Sequence, residues 1–383
     1  MAAGIYLHVP FCRHVCGYCD FNTYAGMDDA IPRYVAALRA DLDRIAAAGP
    51  RALAPPGAEV AGDWPVFTSV FMGGGTPTLL APADLAGLLR HVRVALPVAA
   101  DAEVTTEANP ENITAEVVAT LVDAGLTRIS IGAQSFSSRV LEFLDRDHDP
   151  ELPLRAVAQA RAGGVPSVNL DLIYGAPAET PEDWSSSMET AVAAGTDHVS
   201  AYALTLESGT TYAARVRTGQ QAAPDDDVAA ERMAVAAARL SDAGLRRYEI
   251  SNWARPGHES RHNLNYWRHG DWLGVGAGAH GHWRGRRWWS WRSPARYSDA
   301  ALAGRDTTSG AEIVDEQGRR TERLLLGLRM ISGVARDRVE PVDERQVARL
   351  VAAGLLLDDG GVLRLTDNGR PLADDVTVRL LPA

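Results

Sequence analysis

A strand–helix rhythm running from residue 4 to about residue 250 constrains this chain more than any other feature of its sequence. Residues 4–11 (GIYLHVPF) read as a short buried strand. From Ile31 to Ala48, Tyr34, Val35, Leu38, Leu42 and Ile45 recur near the 3.6-residue period of a helix. Residues 49–65 are rich in Pro, Ala and Gly and predict an irregular surface loop. Val66–Met72 predicts a strand that runs into Gly73-Gly74-Gly75. Further strands are predicted at Glu103–Glu107, Arg128–Ile131, Val168–Ile173, His198–Leu204 and Arg247–Ile250. The helices between them carry start signals, Thr114 for one and Thr180-Pro181 for another. Alternation at this length predicts a parallel sheet, closed or partly closed, with the helices outside it. The expected fold class is α/β: a partial (β/α)6 TIM-like barrel over residues 1–300 and a small C-terminal domain over 301–383.

The pattern changes in that last part. Glu316–Met330 and Gln346–Ala353 predict helices, and Asp358-Asp359-Gly360-Gly361 between two short apolar runs is a hairpin signal. Thr366 is placed to cap a last helix. Helix, helix and hairpin make a winged-helix-like module, an arrangement that often binds DNA. From 340 to 383, however, five Arg face eight Asp and Glu, which predicts a packing or lid domain. The whole chain carries a net charge of −11, so no nucleic-acid partner is expected. All 38 basic residues are arginine, which removes Schiff-base and P-loop lysine chemistry. No run of about 18 apolar residues is present, so no integral membrane segment is expected. The N-terminus has neither a basic n-region nor a long apolar h-region, and the expected location is cytoplasmic.

The only three cysteines, Cys12, Cys16 and Cys19, lie within eight residues in the loop after the first strand. An odd, clustered set in a reducing compartment predicts a metal centre and not a disulfide framework. In a parallel barrel such a loop opens on the active-site face. A [4Fe–4S] cluster normally takes four thiolates, so three leave one iron without a protein ligand. The competing reading is a Cys3His zinc site completed by His8 or His14.

Cys12-x3-Cys16-x2-Cys19, with the aromatic Tyr18 before the last cysteine, resembles the signature of the radical S-adenosylmethionine (SAM) superfamily. That resemblance implies a radical SAM barrel whose open iron chelates SAM. Gly73-Gly74-Gly75-Thr76-Pro77 is similar to the superfamily's glycine-rich stretch, so Gly74, Gly75 and Thr76 are expected around the SAM amino group. Arg128–Phe136 (RISIGAQSF), Arg146-Asp147-His148 and Asn169–Gly175 (NLDLIYG) are similar to the branch that contains coproporphyrinogen dehydrogenases and heme chaperones. The likeness implies that Gln134 and Asp171 hold the ribose hydroxyls and that Arg146 pairs with the SAM carboxylate. It also puts Tyr6, Tyr18 and Glu107 beside SAM.

Within the branch, three features favour a heme chaperone. The dehydrogenase motif has a further cysteine where this chain has Phe21, and it follows an N-terminal arm for which residues 1–11 leave no room. His262-Asn263-Leu264-Asn265-Tyr266-Trp267 matches the HNxxYW motif of the chaperones. The resemblance thus implies heme as a ligand, with His262 the candidate for iron and expected near the C-terminal rim of the barrel. The tryptophans and arginines between Trp267 and Arg292 would stack on a porphyrin and pair with its propionates, or form a core cluster. Expected partners are haem-accepting proteins and, if SAM is cleaved, a reductant such as a flavodoxin or ferredoxin. A homodimer is left open. The alternative function is oxygen-independent coproporphyrinogen III dehydrogenation.

Overall fold

The computed structural model describes residues 3–60 and 62–382. Six parallel strands follow one another in space as they do in the chain: β1 (Ala3–Val9), β2 (Phe67–Gly74), β3 (Val98–Ala108), β4 (Arg128–Gln134), β5 (Ser167–Tyr174) and β6 (His198–Ala203). Each is followed by a helix: α1 (Ile31–Leu53), α2 (Pro82–Ala95), α3 (Ala115–Asp123), α4 (Leu152–Ala162), α5 (Pro181–Ala193) and α6 (Asp226–Asp242). The start signals act as expected. Thr114 accepts from the Val117 amide, and Thr180 with Asp183 forms a capping box.

The sheet continues past both ends of this series and does not close. On the free edge of β1 lies a seventh parallel strand, β7 (Asp271–Val275), extended by antiparallel β8 (His280–Trp283), β9 (Arg286–Ser290) and β10 (Thr308–Ile313). On the far edge, β6 pairs with the antiparallel strand Asn252–Ala254. The strand expected at 247–250 survives only as Arg246–Arg247. The physical reason is local: the Arg247 guanidinium turns back to donate to the Glu249 and Ile250 carbonyls, curling the segment out of the sheet. The loop expected from residue 49 begins as helix instead, since α1 runs to Leu53 across a kink at Gly49, where φ is 75°.

Strand alternation sorts the side chains into two environments. On β1, Ile5, Leu7 and Val9 are fully buried against the helices, where Tyr34, Val35, Leu38, Leu42 and Ile45 form the buried face of α1. Burying each such aliphatic chain contributes about 1.5–3 kcal/mol. The other face of the sheet is polar. Glu103 and Thr105 on β3, Arg128 and Ser130 on β4, and Asn169 on β5 are buried there. A barrel interior lined this way is a site more than a core.

The small domain has its own apolar cluster, including Leu324, Leu328, Val347, Leu350, Leu363 and Val376. Helices Glu316–Arg329 and Glu344–Ala352, the hairpin Leu356–Asp358 and Val362–Leu365, and helix Ala373–Leu380 surround it. The division expected at residue 300 falls inside helix Pro294–Leu302, the large sheet extends to Ile313, and the small apolar cluster starts at Leu324 on helix Glu316–Arg329. Thr366 caps no helix. Its hydroxyl donates to the Gly354 carbonyl and accepts from the Gly369 amide.

Candidate functional site

The cysteine loop leaves the C-terminal end of β1 and is pinned on two sides. Phe11–Cys12 pairs with Tyr24–Ala25, closing the loop at its base. Within it the Cys19 amide donates to the Cys16 carbonyl at 3.1 Å. On one flank, Gly17 donates to the Asp145 carboxylate at 3.1 Å and accepts from the Tyr212 amide at 2.7 Å, and Arg215 holds Asp145 at 2.9 Å. On the other, the Asn22 amide group donates to the Ala277 and Arg292 carbonyls, both at 2.9 Å. Tyr18 is half-buried against Val140, Leu144 and Tyr212.

The glycine stretch meets this loop from β2. The Gly75 amide donates to the Val9 carbonyl and the Thr76 amide to the Phe11 carbonyl, at 2.8 and 2.7 Å. The Thr76 hydroxyl points at the Cys12 sulfur, 3.6 Å away. A Cβ on Gly75 would lie 2.6 Å from the Phe11 carbonyl oxygen and 3.0 Å from that sulfur, so only glycine admits this approach. Gly74 has φ 114°, and its amide donates to the Glu107 carboxylate at 2.9 Å.

The ends of β3, β4 and β5 complete the ring. Arg146 is aimed at the loop: one guanidinium nitrogen lies 3.8 Å from the Cys16 sulfur and another donates to Asn109 at 3.0 Å and to the Gly132 carbonyl at 3.2 Å. Its Nε is buried with no partner. Gln134 ends β4 with φ 63°, a conformation non-glycine residues rarely take, beside a register shift against β5. Asp171 accepts from the Ser130 hydroxyl at 2.7 Å and the Asn169 amide at 2.8 Å. Burial raises Glu107 to about 7, with the Gly74 amide opposing. Burial raises Asp171 as well, against the hydroxyls of Ser130 and Ser200. It also lifts the Cys12 thiol to about 11, so a metal bound there displaces a proton that the free thiol holds firmly.

Three thiols on one braced loop have the donor chemistry of a [4Fe–4S] cluster with an open iron. Among the described residues no group of three or more His, Cys, Asp or Glu side chains is already gathered as metal ligands. The unpartnered Arg146 Nε beside the thiols fits an anionic group at the open position. His8 is a poor fourth ligand here, since its ring bonds to the Tyr6 hydroxyl and the Asn22 carbonyl, both at 2.9 Å.

Below the rim, a cavity of about 480 Å³ runs from Tyr6, Gly74 and Glu107 to an aromatic wall of Tyr266, Trp267 and Trp272. Phe21 from the cysteine loop and Leu326 from the small domain also face it. The tryptophan-rich stretch therefore divides. Trp267 and Trp272 line the cavity, whereas Trp283 packs on Trp64 and Phe67, and Trp288 is buried under Arg286.

His262 does not lie at the rim as expected. It is on the short helix α7 (Arg261–Trp267), which enters beneath the barrel because Glu103, near the N-terminal end of the paired part of β3, accepts from the amides of Arg261 and His262. The ring is 1% exposed, stacks on Phe71 and packs over Gly4. One nitrogen bonds to the Ser69 hydroxyl at 2.9 Å and the other to the Tyr266 hydroxyl at 2.8 Å. In this arrangement neither nitrogen is open to iron. Sequence reasoning also missed Asn109, which bridges Arg146 and Thr76 (3.3 Å); its place just after a strand end was the available signal.

Residues 6–191 match the model of the radical SAM superfamily. Over 381 residues the chain is 46% identical to heme chaperone HemW of Mycobacterium tuberculosis, covering 99% of this chain and 94% of that one. It is 31% identical to heme chaperone HemW of Bacillus subtilis, with 97% of each chain covered. In fold it is similar to the coproporphyrinogen III oxidase HemN of Escherichia coli, with a TM-score of 0.82 at 22% identity over 99% of this chain and 89% of that one.

Proposed function

The chain belongs to the HemW family of radical SAM proteins, and from that premise we propose that it binds heme and passes it to haem proteins while carrying a SAM-bound [4Fe–4S] cluster on Cys12, Cys16 and Cys19. The cavity carries the reading. It is bordered by Phe21 and Asn22 of the cysteine loop, has an aromatic wall suited to a flat macrocycle, and is of a size usual for cofactor sites.

Around the cluster, Gly74, Gly75 and Thr76 would receive the SAM amino group and Arg146 its carboxylate. Gln134 and Asp171 would hold the ribose, and Tyr6, Tyr18 and Glu107 would wall the pocket. When bound and reduced, the cluster supplies the electron that splits a sulfonium bond of SAM. This chain's own residues would orient SAM: Gly75 lets the backbone approach, and the half-buried Glu107 carboxylate accepts from the Gly74 amide. A flavodoxin- or ferredoxin-like reductant is required only if that cleavage occurs.

Phe21 favours the chaperone over the dehydrogenase. It stands where the dehydrogenase motif has its further cysteine, is 62% exposed, and offers an apolar ring at the cavity mouth. The test uses anaerobically reconstituted protein, SAM and a reductant, given heme in one arm and coproporphyrinogen III in the other. Retention of heme and transfer to an apo-haem protein, with no SAM-dependent decarboxylation, is expected. Protoporphyrinogen formation would move the protein to the dehydrogenase reading. No helix among the described residues is long and apolar enough to cross a membrane.

A further inference from the structure

A heme iron needs an axial ligand, and imidazole is a common one. Two histidines line the cavity, His8 and His280. Both ring nitrogens of His8 are engaged, as are both of His262, which is buried behind Tyr266 and does not line the cavity. His280 differs. It is exposed and lines the cavity, and its ring makes no hydrogen bond among the described residues.

The fold holds this ring in place through its backbone and one neighbour. The Trp272 indole donates to the His280 carbonyl at 2.9 Å. Gly274 lies so close beneath that a Cβ would meet the His280 carbonyl oxygen at 1.9 Å. Trp289, the cross-strand partner on β9, stacks on the imidazole with centroids 5.9 Å apart and planes 29° from parallel. A ring carried on a fixed stretch of main chain and backed by an indole, beside an aromatic-walled cavity, is placed to present a lone pair.

We propose that His280 supplies the axial ligand to the iron of a heme held in this cavity, with Trp272 and Trp267 flanking the macrocycle. The inference rests on the heme-binding reading above and names the residue of this chain that makes the iron bond. Partial burial and the nearby guanidinium groups of Arg287 and Arg292 lower the His280 pKa, keeping the ring neutral and its lone pair available at neutral pH. Ligation forms a coordinate bond from one imidazole nitrogen to iron, displaces a weak ligand such as water, and changes no oxidation state.

The test titrates ferric heme into reconstituted full-length protein and its His280→Ala and His280→Met variants, reading the Soret band, the iron spin state and the affinity. Wild type should show a histidine-ligated spectrum. His280→Ala should lose that spectrum and bind heme about tenfold or more weakly, and added imidazole should restore the band. His280→Met, which keeps the bulk, should bind heme with a shifted band characteristic of a thioether ligand. Cluster absorbance at the cysteines should be unchanged in both variants, since His280 takes no part in that loop's hydrogen bonds. A His280→Ala protein with wild-type affinity and spectrum overturns the assignment while leaving heme binding intact. Failure of wild type itself to bind heme overturns the assignment together with its premise.

Discussion

His262→Ala tests whether the histidine of the HNxxYW segment is a packing residue or an iron ligand. Truncation removes a fully buried imidazole that stacks on Phe71 with centroids 5.1 Å apart, and it strips the Ser69 and Tyr266 hydroxyls of a partner each. Stranding a buried hydroxyl costs about 1–3 kcal/mol. The void left by an aromatic-sized side chain adds a few more, as large-to-small core substitutions show. Together these predict a loss of roughly 3–5 kcal/mol in unfolding free energy, measured by urea denaturation of the cluster-free protein at pH 7. The pH dependence gives an independent check. Burial lowers the His262 pKa from 6.5 to about 3, so the unfolded chain binds the extra proton over that interval. The stability this group contributes is fully present above pH 6.5 and falls by about 1.4 kcal/mol per pH unit as the pH drops toward 3. The alanine variant should lack that component of the slope. A variant that unfolds within about 1 kcal/mol of wild type yet no longer binds heme refutes the packing argument and returns His262 to the role of ligand.

Three further outcomes are expected. Cys16→Ser should fail to hold about four irons per chain after anaerobic reconstitution and lose the cluster absorbance; one tetrahedral zinc and no iron in the wild type would instead favour the zinc reading. Gly75→Val should fold but lose SAM binding by equilibrium dialysis, because its Cβ would meet the Phe11 carbonyl oxygen at 2.6 Å and the Cys12 sulfur at 3.0 Å; retained affinity would show that the backbone does not need this approach. Glu107, raised to about 7 by burial, contributes stability that is fully present below pH 4.5 and lost as the pH rises through 7. Glu107→Gln keeps an acceptor for the Gly74 amide and should therefore flatten the decline in stability between pH 5 and 8, and an unaltered pH profile would place the carboxylate in water.

The parts of this molecule that are set locally could be read directly. Six strand–helix units, the caps at Thr114 and Thr180, and the cysteine loop at a strand end all depend on residues close together in the chain, where periodicity and start signals act. Other parts depend on distant partners. Nothing near Asp271–Val275 announces that it will lie against Ala3–Val9, because that pairing is made by neighbours far away in sequence. A strand running to Ile250 would put His262 at the rim. The folded-back Arg247 side chain ends it early, and Glu103 draws the following helix beneath the sheet. The tryptophans at 283 and 288 carry the same composition signal as those at 267 and 272, and only strand direction separates core from cavity wall.

The pairing of β7 with β1 has a consequence for how this protein is made. Ala3 faces Asp271, 268 residues later. A ribosome adding about 5–20 residues per second leaves the outer edge of the first strand unpaired for roughly 13–54 s. Throughout that interval the loop bearing Cys12, Cys16 and Cys19 lacks one of its two flanking supports, because the Asn22 contacts are to Ala277 and Arg292. A nascent chain thus presents its three thiols on a half-supported loop beside an open strand edge, the period of greatest exposure to oxidants and to stray strand pairing. The second support of the cysteine loop is completed only once Arg292, in the last third of the chain, has been made.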